Sequence, residues 1–272
     1  MPDPLYAPDS PPVTPPPGER LLDRLVHALL PAPCLGCGRP LPARGAPLGL
    51  CAACRAALAP LPREACAVCC RPLAAHALPA DYRCGACRLS PPAFDRLLAL
   101  WSYRPPLDAV VRGLKFGRLD YLGRHLAAAL AAGLSDRLGG CDRVVPVPLH
   151  WRRRLARGYN QAERIARPLA GHLGLPCLSA LSRRRATPPQ SLLGRDDRLA
   201  NLRKAFRVPD PGRVRGLHLL LVDDVATTGA TLDAAAAALK NAGAAAVTAL
   251  VAGRTPLEPA AGERPGVWGQ SV

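Results

Sequence analysis

The sequence predicts two units in tandem: a small, loop-rich cysteine module, then an α/β domain with a parallel sheet flanked by helices. Three observations carry this. Nine of the 11 cysteines fall within residues 31–90. From about Phe94 onward, strand-length apolar runs alternate with helix-length amphipathic ones, the order produced by a parallel sheet with crossover helices. The run Leu219-Leu220-Leu221-Val222 ends in Asp223-Asp224 and passes through a small-residue turn into a helix at Leu232–Ala242, the pattern of a strand covered on both faces.

Composition narrows the class. The chain is 49% hydrophobic but only 4% aromatic, so its core must be aliphatic and alanine-rich. Apolar stretches such as Leu217–Val222 and Ala244–Ala252 are strand-length, and none approaches the ~18 residues of a membrane span. Collagen, coiled coil and membrane-spanning classes are excluded. Met1-Pro2-Asp3-Pro4 has neither a basic n-region nor an apolar h-region, so a cytoplasmic location is expected.

Residues 1–19 hold eight prolines without apolar periodicity and are expected to be disordered. In residues 20–30, Leu21, Leu22, Leu25, Val26 and Leu29 recur at helical spacing, predicting a short amphipathic helix. This helix and the cysteine module make a unit over 20–90. The α/β domain is expected over 91–255, and residues 256–272 return to Pro and Gly as a loose tail.

The cysteines come in spaced pairs. Cys34-x2-Cys37 is followed after 13 residues by Cys51-x2-Cys54, and Cys66-x2-Cys69 after 14 residues by Cys84-x2-Cys87. A Cys-x2-Cys turn presents two thiolates on one face of a tight knuckle, and two knuckles complete a tetrahedral zinc site. The near-equal spacing predicts an internal repeat of two zinc ribbons, structural because four thiolates leave no open position for a reacting water. Disulfides would need an oxidising compartment that nothing in the sequence supports. Pairing stays open: sequential sites are simplest, but an interleaved brace would use the same residues. Gly38 follows Cys37, where a knuckle favours positive φ, whereas Cys70 holds the matching place after Cys69, so either of those two could be the ligand. Cys141 and Cys177 stand apart and read as small buried apolar groups.

The segment Asp223 to Thr231 carries the second signal. The amides of Val225, Ala226, Thr227, Thr228, Gly229, Ala230 and Thr231, with the helix N-terminus behind them, can cradle a phosphate, and the Thr hydroxyls add donors. Asp223 and Asp224 are placed for sugar hydroxyls or a magnesium ion. A Walker-B strand would need a partner G-x-x-x-x-G-K-[ST], and none of the three lysines (Lys115, Lys204, Lys240) stands in one.

Charge adds a third signal. The formal net charge is +16, and 33 of the 36 basic residues are Arg, a ratio that also reflects a GC-rich coding bias. Between Trp151 and Gly216, 16 basic residues face four acids (Glu163, Asp196, Asp197, Asp210), a net of +12. Such a concentration suits a polyanionic partner, and equally a solvated basic face.

The segment Leu219–Thr231 resembles the 5-phosphoribosyl-1-pyrophosphate (PRPP) binding motif of type I phosphoribosyltransferases. From about Pro33 to Arg254 the chain resembles the ComF family, in which a cysteine-rich zinc module precedes such a domain. Three further stretches carry the likeness: Val145-Pro146-Val147-Pro148-Leu149-His150, Arg157-Gly158-Tyr159-Asn160-Gln161-Ala162, and Thr187-Pro188-Pro189-Gln190 running to Arg198, Asn201, Ala205 and Phe206. Cys70 is the main departure.

The resemblance implies a pyrophosphate loop over Pro148, Leu149, His150, Arg153 and Arg154, and a flexible loop with Thr187, Gln190 and Arg198 that closes over the reaction. It implies PRPP with Mg2+ as ligand, Asp223 and Asp224 as catalytic residues orienting the ribose, and displacement of pyrophosphate by a nitrogen nucleophile. It further implies a link to DNA uptake in competent bacteria, with single-stranded DNA or a competence-machinery protein as partner. The alternative is a non-catalytic nucleic-acid or protein adaptor on the same fold. Stacking platforms for single strands are few, with Trp101, Trp151, Tyr103 and Tyr159 the nearest.

Overall fold

The computed structural model describes residues 32–42, 46–62, 64–73, 79–183 and 205–256. The proline-rich segment, the helix expected over 20–30, nearly all of the tail, and Thr187, Gln190 and Arg198 lie outside the described residues.

The α/β domain is built on β1 (Arg96–Ser102), β2 (Arg143–Pro146), β5 (His218–Val222), the two-residue β6 (Val225–Ala226) and β7 (Ala246–Arg254). These run parallel in the order β1-β7-β5-β2, with β6 continuing from β5 to pair with the end of β7. A separate antiparallel pair joins β3 (Ser182–Arg183) to β4 (Phe206–Arg207). The strands read as continuous apolar runs because both faces are covered. On one face Leu97, Ala99, Leu219, Leu221, Val247 and Ala249 pack beneath α7 (Ala230–Asn241), and on the other Leu98, Leu220, Val222 and Leu250 pack against α3 (Leu107–Phe116), α4 (Leu122–Leu134) and α6 (Gln161–Leu173). A short helix, α5 (Trp151–Arg157), buries none of its residues.

Helices α4 and α6 approach closely because Gly123 has no side chain: a Cβ there would stand 2.5 Å from the Arg164 carbonyl oxygen. Among the described residues, no helix is long and apolar enough to cross a membrane.

The cysteine module repeats itself in backbone detail. Gly38 N–H donates to the Cys34 carbonyl at 2.8 Å, and Cys70 N–H to the Cys66 carbonyl at 2.9 Å. Cys51 N–H donates to Cys34 Sγ, and Cys84 N–H to Cys66 Sγ. Each half ends in a one-turn helix, α1 (Ala52–Ala56) or α2 (Gly85–Leu89). The halves sit on opposite faces of β1: Leu48, Leu50 and Leu58 pack with Leu98 and Trp101, while the second cysteine set packs with Phe94, Leu97 and Ala99. The segment between them lines the free edge of β1, where Leu61 N–H donates to the Leu100 carbonyl and Ser102 N–H to the Ala59 carbonyl.

Candidate active site and the two cysteine tetrads

The Sγ atoms of Cys34, Cys37, Cys51 and Cys54 lie within 4.8 Å of one another, as do those of Cys66, Cys69, Cys84 and Cys87. The Cys37–Cys51 and Cys69–Cys84 sulfurs are 3.8 Å apart. A tetrahedral zinc with Zn–S bonds of about 2.3 Å separates its sulfurs by about 3.8 Å, whereas a disulfide would hold them at about 2.05 Å. The sites are therefore sequential, not interleaved. Cys70 is outside the second tetrad. It takes the positive φ (+54°) that Gly38 takes (+74°) in the first knuckle, and burial pushes its thiol up to about 11. Cys69 is the one that completes the tetrad, and Cys70 is buried in a glycine's place. Cys141 is also buried, and Cys177 is half-buried.

At the C-terminal end of β5, which stops at Val222, the chain delivers Asp223 and Asp224 to a cavity of about 240 Å³. Asp224 is 3% exposed, and Lys115 Nζ at the end of α3 stands 3.1 Å from its Oδ1. Its Oδ2 is buried without a hydrogen-bond partner among the described residues, an acceptor waiting for a donor or a cation. Asp223 is partly buried, and its carboxylate accepts the Asp224 N–H at 2.9 Å. Burial, and then the neighbouring charge of Asp224, push the Asp223 carboxyl up to about 7.

Thr227 and Thr228 are exposed, and Gly229 turns the chain into α7 with φ +86°, a conformation that glycine adopts freely. Gly229, at the N-cap of α7, has no side chain to cap it; the Thr228 Oγ1 accepts the Ala230 N–H at 3.3 Å, and the N–H groups of Thr231 and Leu232 behind it are left for an anion. Pro148, Leu149 and Arg153 line the same cavity, as do Val225, Thr227 and Thr231. His150 and Arg154 do not line it. His150 is buried at the N-cap of α5, where its Nδ1 accepts the Arg152 N–H at 3.4 Å. Arg154 is exposed on α5.

The Arg157–Ala162 run has a positioning role. Asn160 accepts the Ala162 N–H to cap α6 and donates its amide to the Val147 carbonyl at 3.0 Å, fixing the loop after β2 to that helix. Tyr159 O–H donates to the Leu114 carbonyl, one residue before Lys115.

Two matches and three relatives accord with this geometry. Residues 25–88 match the double zinc ribbon domain, and residues 155–260 the phosphoribosyl transferase domain. Over 215 residues, 73% of this chain and 94% of the relative, the chain is 40% identical to the DNA utilization protein YhgH of Salmonella typhi. It is 31% identical to Competence protein F of Haemophilus influenzae, over 72% of this chain and 86% of that one. Competence protein ComFC of Bacillus subtilis is 28% identical, over 72% and 80%.

The chain belongs to the ComF family.

Sequence reasoning did not single out Tyr103, Lys115, Arg157, Gln161 and Arg183 as lining residues of this ComF site. Lys115 left a trace: where 33 of 36 basic positions are Arg, a Lys is a departure from bias. Arg157 and Gln161 stood inside the run that marked the family, where Arg157 donates to Gln161 Oε1 at 3.1 Å and lies 4.8 Å over the Phe116 ring. Arg183 reaches the site through the β3–β4 pair, which no local pattern announces.

Proposed function

We propose that the chain binds magnesium-PRPP at this cavity and transfers the phosphoribosyl group to a nitrogen acceptor. The observation that supports this most is the charge arrangement: two carboxylates at the end of one strand, a helix N-terminus behind a Thr-Thr-Gly turn, and four cations (Lys115, Arg153, Arg157, Arg183) around the same cavity. PRPP carries one phosphate and one diphosphate on a ribose with two free hydroxyls, and each part has a matching group.

Asp223 and Asp224 would accept hydrogen bonds from the ribose hydroxyls. The amides of Thr227 to Thr231 would hold the 5′-phosphate, and Arg153, Arg157 and Arg183 would take up the charge that grows on the departing diphosphate. The hard oxygen donors of the two carboxylates, with Asp224 Oδ2 unpartnered, suit a magnesium ion, which when bound neutralises phosphate charge. The anomeric C–O bond to diphosphate breaks, a C–N bond forms to the acceptor, and the nitrogen's proton leaves to solvent.

Calorimetric titration of magnesium-PRPP into the zinc-loaded protein tests this reading. Binding by the wild type that vanishes in an Asp223→Asn, Asp224→Asn double variant is the expected result. A folded wild type that takes no PRPP overturns it.

The names of the relatives, DNA utilization protein and competence protein, support a role in DNA uptake. One surface favours the adaptor as a second reading. On α5, Trp151 is 56% exposed with the Arg152 guanidinium 5.3 Å over its ring, next to Arg153 and Arg154. Loss of single-stranded DNA affinity in an Arg152/Arg154 double variant, which leaves the cavity's Arg153 in place, with PRPP binding intact, would support it.

A further inference from the structure

Arg254 ends β7, opposite Ala226 in the register, with 1% of its surface exposed. A guanidinium can be buried only where its donors are used. Its Nε donates to the Cys69 carbonyl at 3.1 Å, and one terminal nitrogen donates to the carbonyls of Ala226, at 2.9 Å, and Thr227. Cys69 belongs to the second tetrad, and Ala226-Thr227 opens the turn that leads into α7. One rigid, planar group therefore joins a metal knuckle to the proposed phosphate loop.

The orientation matters because a trans peptide is planar, with its carbonyl and its N–H on opposite sides. By drawing the Ala226 and Thr227 carbonyls inward, Arg254 turns the Thr227 and Thr228 amides outward, away from the buried guanidinium. The Cys69 carbonyl is held in turn by its knuckle, whose shape depends on four sulfurs meeting one ion. The first tetrad lies with the other hydrophobic cluster, on the opposite sheet face, and Arg254 makes its side-chain hydrogen bonds to Cys69, Ala226 and Thr227 alone among the described residues.

We propose that Arg254 is a positioning residue through which zinc in the second ribbon, and not in the first, sets the phosphate loop in its ligand-ready shape. The proposal rests on the reading of this loop as the phosphate site of PRPP. When the second site empties, the knuckle relaxes, Arg254 loses one of its two anchors, and the loop amides lose their common direction.

The test compares Arg254→Lys, which keeps the charge without the fork, with Cys84→Ser, which empties the second site, and Cys51→Ser, which empties the first. Zinc content, amide exchange at Thr227–Ala230 and magnesium-PRPP affinity are measured on each, with exchange in α4 and α6 as the check on global folding. Arg254→Lys is expected to keep both zincs, to exchange faster in the loop, and to bind PRPP roughly 10- to 100-fold more weakly, the size of one lost hydrogen bond to a charged group. Cys84→Ser is expected to show the same loop changes with one zinc lost, and Cys51→Ser to lose one zinc with the loop unchanged. Where Cys84→Ser also opens α4 and α6, Arg254→Lys decides. Wild-type loop exchange and affinity in Arg254→Lys, or equal loop changes in Cys51→Ser, overturn the proposal. If loop exchange responds as expected but the wild type itself takes no PRPP, the strut stands and the PRPP reading falls.

Discussion

Lys115→Met would expose how the fold accommodates the buried Asp224 carboxyl. The substitution retains the aliphatic stem but removes the cation 3.1 Å from Asp224 Oδ1. The Asp224 side chain is 4% exposed and cannot turn to water, whereas Lys115 is 24% exposed and can. Orphaning one partner of a fully buried pair costs about 3–5 kcal/mol. Because the Lys115 head reaches solvent in the wild type, the pair is only partly buried, and about 2–3 kcal/mol is the expected loss. Asp224→Asn leaves an ammonium that rehydrates, so it should lose only about 1 kcal/mol or less. At about 2–4 °C per kcal/mol for a domain of this size, Lys115→Met lowers Tm by roughly 4–12 °C and Asp224→Asn by no more than roughly 4 °C. The double variant recovers most of the difference, since no buried charge is left unpaired. Lys115 also helps hold the Asp223 carboxyl down, so its loss moves the acid limb of PRPP binding to higher pH. Equal, additive losses in the two single variants, or a Lys115→Met protein that melts with the wild type, would refute the pairing.

Other predictions follow from single groups. Because the Asp223 carboxyl is raised to about 7, magnesium-PRPP affinity should fall as pH drops below about 7, and calorimetry in buffers of different ionisation enthalpy should show proton release on binding. For the unliganded fold the sign is opposite: ionisation of this partly buried carboxyl lowers stability as pH rises from about 4, its ordinary range, to about 7, and Asp223→Asn should flatten that decline in urea titrations. Cys69→Ser should lose one zinc per chain by metal analysis, whereas Cys70→Gly should keep both. Gly123→Ala places a methyl 2.5 Å from the Arg164 carbonyl oxygen, so it should cost about 1–3 kcal/mol in denaturant unfolding while leaving zinc content intact.

The fold was legible where a short stretch carries its own constraint. The strand at Leu217–Val222 was placed within a residue, because a run buried on both faces has no polar alternation to blur it. The helix expected at Leu232–Ala242 runs over Ala230–Asn241, since Gly229, in its left-handed conformation, turns the chain into the helix two residues earlier. The eight cysteines were legible because metal spacing is a local signal, but their pairing was not: it depends on how two knuckles meet in space. Cys70 illustrates the difference, for sequence sees a thiol beside a thiol and only the backbone shows a positive φ. The cations of the cavity come from α3, α5 and β3, and the sheet brings them together from positions that are remote in the chain. Arg254 was equally hidden, because its partners lie 27, 28 and 185 residues away.

The arrangement of the ribbons argues against a boundary near residue 90 as a place to cut. In the order β1-β7-β5-β2, β1 is an edge strand, and among the described residues its outer edge exchanges backbone hydrogen bonds with Ala59, Leu61 and Val68. Leu97 N–H donates to the Val68 carbonyl at 2.7 Å, and Leu48 N–H to His125 Nδ1 of α4 at 3.0 Å. Removal of the module would bare Trp101, Leu98 and Leu97, each 3% exposed or less in the intact chain. At about 1.5–3 kcal/mol per large apolar side chain, three such exposures rival the ~5–15 kcal/mol that holds a whole domain together. The bared edge would also offer an unpaired strand to other chains. A fragment beginning at residue 91 is therefore expected to be aggregated or unfolded by size-exclusion chromatography and circular dichroism. A monomeric fragment with native-like melting would show that the ribbons are an appendage and not part of the sheet's own core.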